Sequence, residues 1–329
     1  MTVLAAPPTG VATASDPAGP AAPATGRRWR RFAIVSRLAL SRHRLMVNPD
    51  RVKPRAPATS ESPDPNSVVD TWPLRVSDPK WVDGFRLVSR LGAGGMADVF
   101  YAVAPTGQPV AVKILRAASG GPEACRREYR LAYAAGADCT APALGYGMSP
   151  MGAYLVTAYL PGYRCGTTVL SRPTPARQLW RFGATLARVL AAVHAKGIVH
   201  CDVKPSNLLI RGPKMRLIDF GIARYVGERC GDDGMVECSR GWAAPEQLRA
   251  ELATPAVDVF AWGCVLAHLA GGVHPFAGQS TTEWILRVQS AEPDLSGLPG
   301  DLEDVIRATL VRNPRNRPSA GELATICGR

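Results

Sequence analysis

From about residue 81 onward the apolar positions follow two successive rhythms. Residues 85–88 alternate with a period of two. Val- and aromatic-rich runs at 98–103, 109–115 and 153–159 read as further strands. Residues 123–135 read as a helix with Arg126 and Arg127 on its outer side. Beyond residue 159 the rhythm turns helical, over 176–195, 257–270, 281–289, 302–311 and 319–326. Strands first and helices after predict an α+β fold, with a small β-rich lobe at about 81–158 and a larger α-helical lobe at about 163–329. The longest apolar stretch, 259–273, holds His268 and three glycines and falls short of the roughly 20 residues a membrane span needs. No apolar run follows a basic start. The sequence therefore predicts no transmembrane segment, no signal peptide and a cytoplasmic location.

The first 80 residues break the pattern. Residues 1–26 are Ala, Pro, Gly, Thr and Ser almost throughout, too poor in large apolar groups to offset chain entropy. Residues 27–44 carry seven arginines and no acid. Their apolar groups spread around a helical wheel rather than forming a stripe. Such an arm suits anionic lipid, and hence peripheral membrane association, or nucleic acid; a solvated tail or an over-long start is the plainer expectation. Residues 48–79 return to Pro, Ser and Asp and read as linker. The 1–80 segment is thus expected to be a disordered tail in front of a domain at 81–329. This division changes the meaning of the net charge. Of the total +12, +6 lies in residues 1–80, so the excess is not a uniform basic surface.

Three motifs bring in chemistry. The first is Leu91-Gly92-Ala93-Gly94-Gly95-Met96, followed by Val99, between two predicted strands. A strand on each side argues against a dinucleotide fingerprint, which opens a helix. Glycines there would let a hairpin close over a polyphosphate and offer it backbone N–H groups. The second is Lys113 within Val110-Ala111-Val112-Lys113-Ile114, on the strand behind that hairpin. An ammonium in a partly dry cleft needs a carboxylate. Glu128, on the next helix, is the candidate, with Glu123 the weaker one. The third motif decides the case. His200-Cys201-Asp202-Val203-Lys204-Pro205-Ser206-Asn207 is followed twelve residues later by Asp219-Phe220-Gly221. Two Asp, a Lys and an Asn at this spacing can orient a hydroxyl and hold Mg²⁺.

With these motifs in hand, residues 81–329 resemble the eukaryotic-like serine/threonine protein kinases of bacteria. Further marks agree. Ala244-Pro245-Glu246 closes an activation segment that begins at Asp219. Asp258 matches a buried helix aspartate that braces the catalytic loop, and Arg317 matches the arginine that pairs with Glu246. The resemblance implies a bilobal protein-kinase fold and transfer of the ATP γ-phosphate to Ser/Thr hydroxyls of protein substrates. It implies that Asp202 accepts or orients the hydroxyl proton and that Lys204 neutralises the γ-phosphate. Asn207 and Asp219 would hold Mg²⁺, with Mn²⁺ as a substitute. Lys113, set by Glu128, would grip the α- and β-phosphates. The glycine loop at 91–96 would cover the phosphates, and the adenine would lie among Val99, Ala111 and Leu209. The hinge at 158–160 (Ala158 to Leu160) would contact it through its backbone, with Thr157 behind as gatekeeper. Ser239 aligns with a hydroxyl that contacts the catalytic Asp and Lys. Two other functions are weighed: a pseudokinase acting as a nucleotide-binding scaffold, and a kinase-like small-molecule phosphotransferase. The first loses ground because Lys113, Asp202, Asn207 and Asp219 are all present, the second because the glycine loop and Ala244-Pro245-Glu246 are.

The departures are informative. Cys201 stands where the family usually places an arginine that binds a phosphorylated activation segment. Between Phe220 and Pro245 the only hydroxyls are Tyr225 and Ser239. Activity is therefore expected not to depend on phosphorylation of that segment. Ala158 replaces the usual hinge glutamate. The eight cysteines form no Cys-x-x-Cys and read as reduced thiols. Cys201, Cys230 and Cys238 raise the question of redox control.

Overall fold

A computed structural model describes residues 2–5, 71–116, 121–170, 173–232 and 235–328. The basic run 27–44, and with it any lipid or nucleic-acid arm, lies outside these residues.

The smaller lobe is a seven-stranded antiparallel sheet. Its central strands Phe85–Ala93, Ala97–Val103, Pro109–Leu115, Gly152–Ala158 and Ala143–Ser149 neighbour one another in that order. Alternation along the strand Pro109–Leu115 explains its place. Val110, Val112 and Ile114 are buried on one face with Phe85, Leu87, Phe100 and Tyr154. Ala111 and Lys113 consequently fall on the opposite face. The helix Gly121–Ala135 packs on the sheet through Cys125, which clusters with Ala97, Leu115, Ala153 and Leu155, and through Glu128, which meets Lys113.

The sheet begins earlier than the sequence rhythm indicates. Trp72–Pro73 pairs with Ser89 and Arg90 of the first long strand. Arg90 is 4% exposed, bonds to both Asp78 and Asp98, and lies over the Phe100 ring. A buried guanidinium with two carboxylates fixes residues 71–80 to the lobe. The packed body therefore starts about ten residues before the expected boundary, in what reads as Pro-rich linker. At the other end of the tail, Thr2–Ala5 forms a strand against Met235–Cys238, where residues 1–26 were expected to lack structure. A short hairpin edge with unpaired N–H and C=O groups accepts a strand on backbone bonding alone, which composition does not reveal.

The larger lobe is built around the helix Pro255–Gly271. It is apolar on every side and buried along nearly its whole length, as a central core helix must be. Pro255 and Ala256 begin it two residues ahead of the expected 257, since proline is well accommodated in the first turn. It crosses the helix Ala176–His194 at Gly183, where Trp262 Nε1 donates to the Gly183 carbonyl at 3.0 Å. The remaining helices, Thr281–Ser290, Gly300–Thr309 and Ala320–Ile326, close the core. Two strand pairs not read from the sequence, Leu208–Arg211 with Lys214–Leu217 and Gly231–Asp232 with Met235–Cys238, carry the loops that matter for chemistry. A separate cluster joins the lobes. Leu131 and Ala135 meet Val193, Ile198, Phe220 and Ala223 there. Among the described residues no helix is long and apolar enough to cross a membrane.

Two outcomes follow from this packing. A Cβ at Gly183 would sit 2.9 Å from Leu266 and 3.0 Å from Trp262, whereas one at Gly321 meets nothing nearer than 3.9 Å. Gly183→Ala should lower stability by about 1–3 kcal/mol through overpacking. Gly321→Ala should leave it level or raise it by up to about 1 kcal/mol; urea unfolding of the two variants checks the contrast. The second outcome concerns His274, which is clustered with Trp242, His268 and Phe276. Burial, reinforced by His268, pushes its pKa from 6.5 down to about 4. The unfolded chain thus binds a proton that the native state refuses. Stability should be complete above pH 6.5 and fall as pH drops toward 4. His274→Asn should flatten that decline in thermal melts across the same range.

Candidate active site

The two lobes enclose a cleft of about 380 Å³. The glycine loop forms its roof. Gly94 N–H donates to the Ala97 carbonyl at 2.9 Å, closing a tight hairpin, and register shifts in the first strand bend the loop over the cleft. All residues from Leu91 to Met96 line it, together with Val99, Ala111, Lys113, Glu128, Thr157, Ala158, Leu160, Lys204, Asn207, Leu209 and Asp219. Sequence reasoning missed Leu115, Tyr163, Cys165, Ile218 and Phe220, which also line it. Of these, Phe220 carried a signal, since it stands beside Asp219. The others carry no motif and reach the cleft through the tertiary fold.

Lys113 occupies the centre of the cleft. Its ammonium donates to both Glu128 oxygens, at 2.7 and 2.8 Å, and to Asp219 Oδ1 at 2.6 Å. Burial alone would lower its pKa, yet the two carboxylates more than offset this and hold it above the ordinary lysine value. Burial would likewise raise Asp219; the Lys113 charge and hydrogen bond bring it down to about 2 instead. Glu123, the weaker candidate, lies within ion-pair distance of Arg126 and is not Lys113's partner. Asp219 adopts φ 69°, a left-handed conformation, and turns back over Gly221. A Cβ on Gly221 would sit tightly against Asp219 Oδ1 at 3.2 Å and in ordinary contact with Glu128 Oε2 and Lys113 Nζ at 3.5 Å, so position 221 lies directly against the triad.

The catalytic loop is pinned from behind. Asp258, fully buried on the core helix, accepts the N–H groups of His200 and Cys201 at 2.8 Å each and lies 2.8 Å from His194 Nε2. His200 Nδ1 accepts the Asp202 N–H at 3.2 Å, which leaves its proton on Nε2, 3.1 Å from the Ile218 carbonyl. Burial depresses the His200 pKa and keeps the ring neutral in this role. Asp202 is itself buried. Its Oδ2 accepts from Lys204 Nζ at 2.8 Å and Asn207 Nδ2 at 2.9 Å. Its Oδ1 is buried and has no hydrogen-bond partner among the described residues. In this arrangement that oxygen is covered by the protein, so a hydrogen-bond partner from outside the chain reaches it only when the groups around it shift.

Asn207 spends its amide hydrogens on Asp202, on both the carbonyl and Oδ2 at 2.9 Å. Its side-chain oxygen is thereby the atom left for a cation. Asp219 uses Oδ1 on Lys113, so Oδ2 remains. Two protein oxygens, one from a carboxylate, suit Mg²⁺, which takes its other ligands from water and phosphates. Lys204 Nζ also donates to Ser239 at 2.6 Å, so the expected contact to the lysine is present. Glu246 and Arg317 form a bidentate pair at 2.5 and 3.0 Å, both buried, with Arg317 also bonded to three carbonyls. Gln247 Nε2 donates to the Cys201 carbonyl at 2.8 Å, so the end of the activation segment is tied directly to the catalytic loop.

Comparison with known proteins agrees with this geometry. The family described as protein kinase domain matches residues 85–326. Curated relatives include a probable serine/threonine-protein kinase, PkwA, of Thermomonospora curvata, 38% identical over 76% of this chain and 35% of the relative. The serine/threonine-protein kinase AfsK of Streptomyces coelicolor is 32% identical over 76% of this chain and 32% of the relative. PknA of Mycobacterium tuberculosis, also named a serine/threonine-protein kinase, is 34% identical over 72% of this chain and 58% of the relative. The chain thus spans about a third of the first two. The family match spans residues 85–326, well over half of the chain, and the chain belongs to the protein kinase family.

Proposed function

We propose that the chain is an ATP-dependent serine/threonine protein kinase. The observation that carries this reading is the convergence of Lys113 on Glu128 and Asp219 in the cleft and of Lys204 and Asn207 on Asp202 at its floor. The substrate hydroxyl donates its hydrogen bond to Oδ1, which orients the oxygen toward the γ-phosphorus and receives the proton as the new bond forms. Lys204 stands beside that oxygen and neutralises charge on the phosphoryl group in flight. Its contact with Ser239 keeps the ammonium from collapsing wholly onto Asp202. Asn207 and Asp219 are the residues that would hold Mg²⁺ or Mn²⁺. A bound divalent cation supplies neutralisation of phosphate charge. Lys113 offers its ammonium to the α- and β-phosphates without leaving Glu128. The glycine loop covers the phosphates and excludes water. The adenine fits the apolar strip formed by Val99, Ala111 and Leu209.

The acceptor is a protein serine or threonine. The Lys204–Ser239 bridge and the Lys204-Pro205 step support that class, as do the names of the relatives. Phosphate on the activation segment has no arginine to meet at position 201, so the segment is held by Gln247, Glu246 and Arg317 without it.

With labelled ATP, Mg²⁺ and a basic protein acceptor, the purified chain should transfer phosphate to serine or threonine. Asp202→Asn should cut the rate by about 10²–10⁴-fold while leaving nucleotide affinity unchanged. Glu128→Gln should instead weaken nucleotide binding along with turnover, because Lys113 loses a charged partner. Nucleotide binding with no transfer by the wild type would point to a scaffold. Transfer confined to a small metabolite would point to a different acceptor class.

A further inference from the structure

Two arginines stand on the outer side of the helix Gly121–Ala135, and one of them crosses the gap between the lobes. Arg127 Nη2 donates to Glu228 Oε2 of the activation segment at 2.8 Å, whereas Arg126 lies within ion-pair distance of Glu123 on its own helix. Neither Arg127 nor Glu228 lines the nucleotide cleft. The Glu228 carboxylate is held in place from its own side. Its Oε2 also accepts the Tyr225 N–H at 2.9 Å. The Glu228 backbone is bonded twice, its N–H to the Tyr225 carbonyl at 3.0 Å and its carbonyl to the Ala253 N–H at 2.7 Å. Tyr225 in turn pairs with Ile198, on the strand that leads into His200 and the catalytic loop. The helix is held differently along its length. Its C-terminal half packs on the larger lobe through Leu131, Ala132 and Ala135. Lys196 donates to the Ala135 carbonyl there, a cation at the helix end where one is favoured. Toward the N-terminus the helix meets the sheet through Cys125, and its tie to the larger lobe is the Arg127–Glu228 pair. Glu128, the partner of Lys113, is the next residue after Arg127.

We propose that Arg127 and Glu228 are positioning residues whose ion pair holds the N-terminal half of the helix against the activation segment, so that Glu128 stays on Lys113. The effect on turnover rests on the kinase reading, in which Lys113 meets the nucleotide phosphates. Consecutive residues on a helix lie about 100° apart, so Glu128 faces the sheet while Arg127 faces the segment. The helix is thereby clamped by two ion pairs of opposite polarity. It gives a carboxylate to the lysine of the sheet and takes one from the activation segment. Without the second pair the N-terminal half is free to swing about the packed C-terminal half, and Glu128 carries Lys113 out of line. Both side chains of the Arg127–Glu228 pair are more than a third exposed. Water screens such a pair, so it adds little to global stability. Its worth lies in which of two helix positions is populated, and that ratio appears directly in activity. Glu228 also gives the segment a resident negative charge that faces the helix, a charge that a phosphorylated hydroxyl would otherwise have to supply. The segment around it offers only Tyr225 and Ser239 as hydroxyls, and Cys201 gives a phosphate nothing to bind. The clamp is therefore built in, and added salt is what weakens it.

The full chain is compared with Arg127→Gln, Glu228→Gln, the two together, and Arg127→Lys. Glutamine at 228 keeps an oxygen for the Tyr225 N–H, so the change removes charge alone. Each Gln variant should lower kcat/KM for ATP by about 2–5-fold, with KM for the protein acceptor unchanged. The double variant should lose no more than either single one. Arg127→Lys should keep most of the wild-type rate. Added salt should slow the wild type more than it slows Glu228→Gln. Glu292→Gln breaks an exposed pair with Arg312 inside the larger lobe and should change none of these constants. Hydrogen exchange reads the clamp without turnover. Amides of 121–128 should exchange faster in both single Gln variants than in the wild type, while thermal melts stay close to it. If the wild type transferred no phosphate, the kinase reading would fall and the exchange comparison alone would decide the clamp. Additive losses in the double variant, unaltered exchange at 121–128, or a lowered melting temperature with kinetic constants intact would overturn the proposal.

Discussion

One partly buried ammonium joins the two halves of this molecule. Lys113 comes from the sheet, Glu128 from the helix packed on it, and Asp219 from the loop that opens the activation segment. An unpaired ammonium in such a place would cost several kcal/mol, and a carboxylate left there alone would cost as much. Each group is therefore a condition for the other two. The lobes meet in one arrangement because three charges from three elements must converge. The apolar contact of Phe220 with Leu131 and Val193 then supplies area where the charges supply position.

Everything on the far side of the cleft is arranged so that this convergence meets a fixed partner. Asp258 holds the backbone ahead of Asp202, and the Glu246–Arg317 pair holds the end of the activation segment against the same core helix. These charges are buried, and their worth lies in placement more than in net stability. The result is a floor in which Lys204 and Asn207 fix the Asp202 carboxylate, beneath a cleft roofed by the glycine loop.

Much of this was legible in the chain. Lys113, Asp202, Asn207 and Asp219 announce themselves because the chemistry tolerates few substitutes, and Glu128 follows from the need for a counter-charge. Burial alternation also places Lys113 on the cleft face without reference to any motif. Other features were not legible, for physical reasons. The strand Ala143–Ser149 contains Gly145 and Gly147 and lacks the β-branched rhythm that marks its neighbours, so only its pairing partner defines it. The start of the folded body at residue 71 depends on Arg90 meeting Asp78 and Asp98, a long-range contact hidden behind prolines. The free oxygen of Asp202 emerges only once Lys204 and Asn207 are both seen on the other oxygen.

The central claim is that Lys113 depends jointly on Glu128 and Asp219, and a double-mutant cycle measures that dependence directly. Stability to denaturant is compared for Glu128→Gln, Asp219→Asn and the pair together. Either single change leaves the ammonium one carboxylate and should be tolerated. The double change leaves a partly buried ammonium without a carboxylate and should cost more than the sum of the two by about 1–3 kcal/mol. Additivity within about 0.5 kcal/mol would contradict the account, because the two carboxylates would then act on Lys113 independently and not jointly.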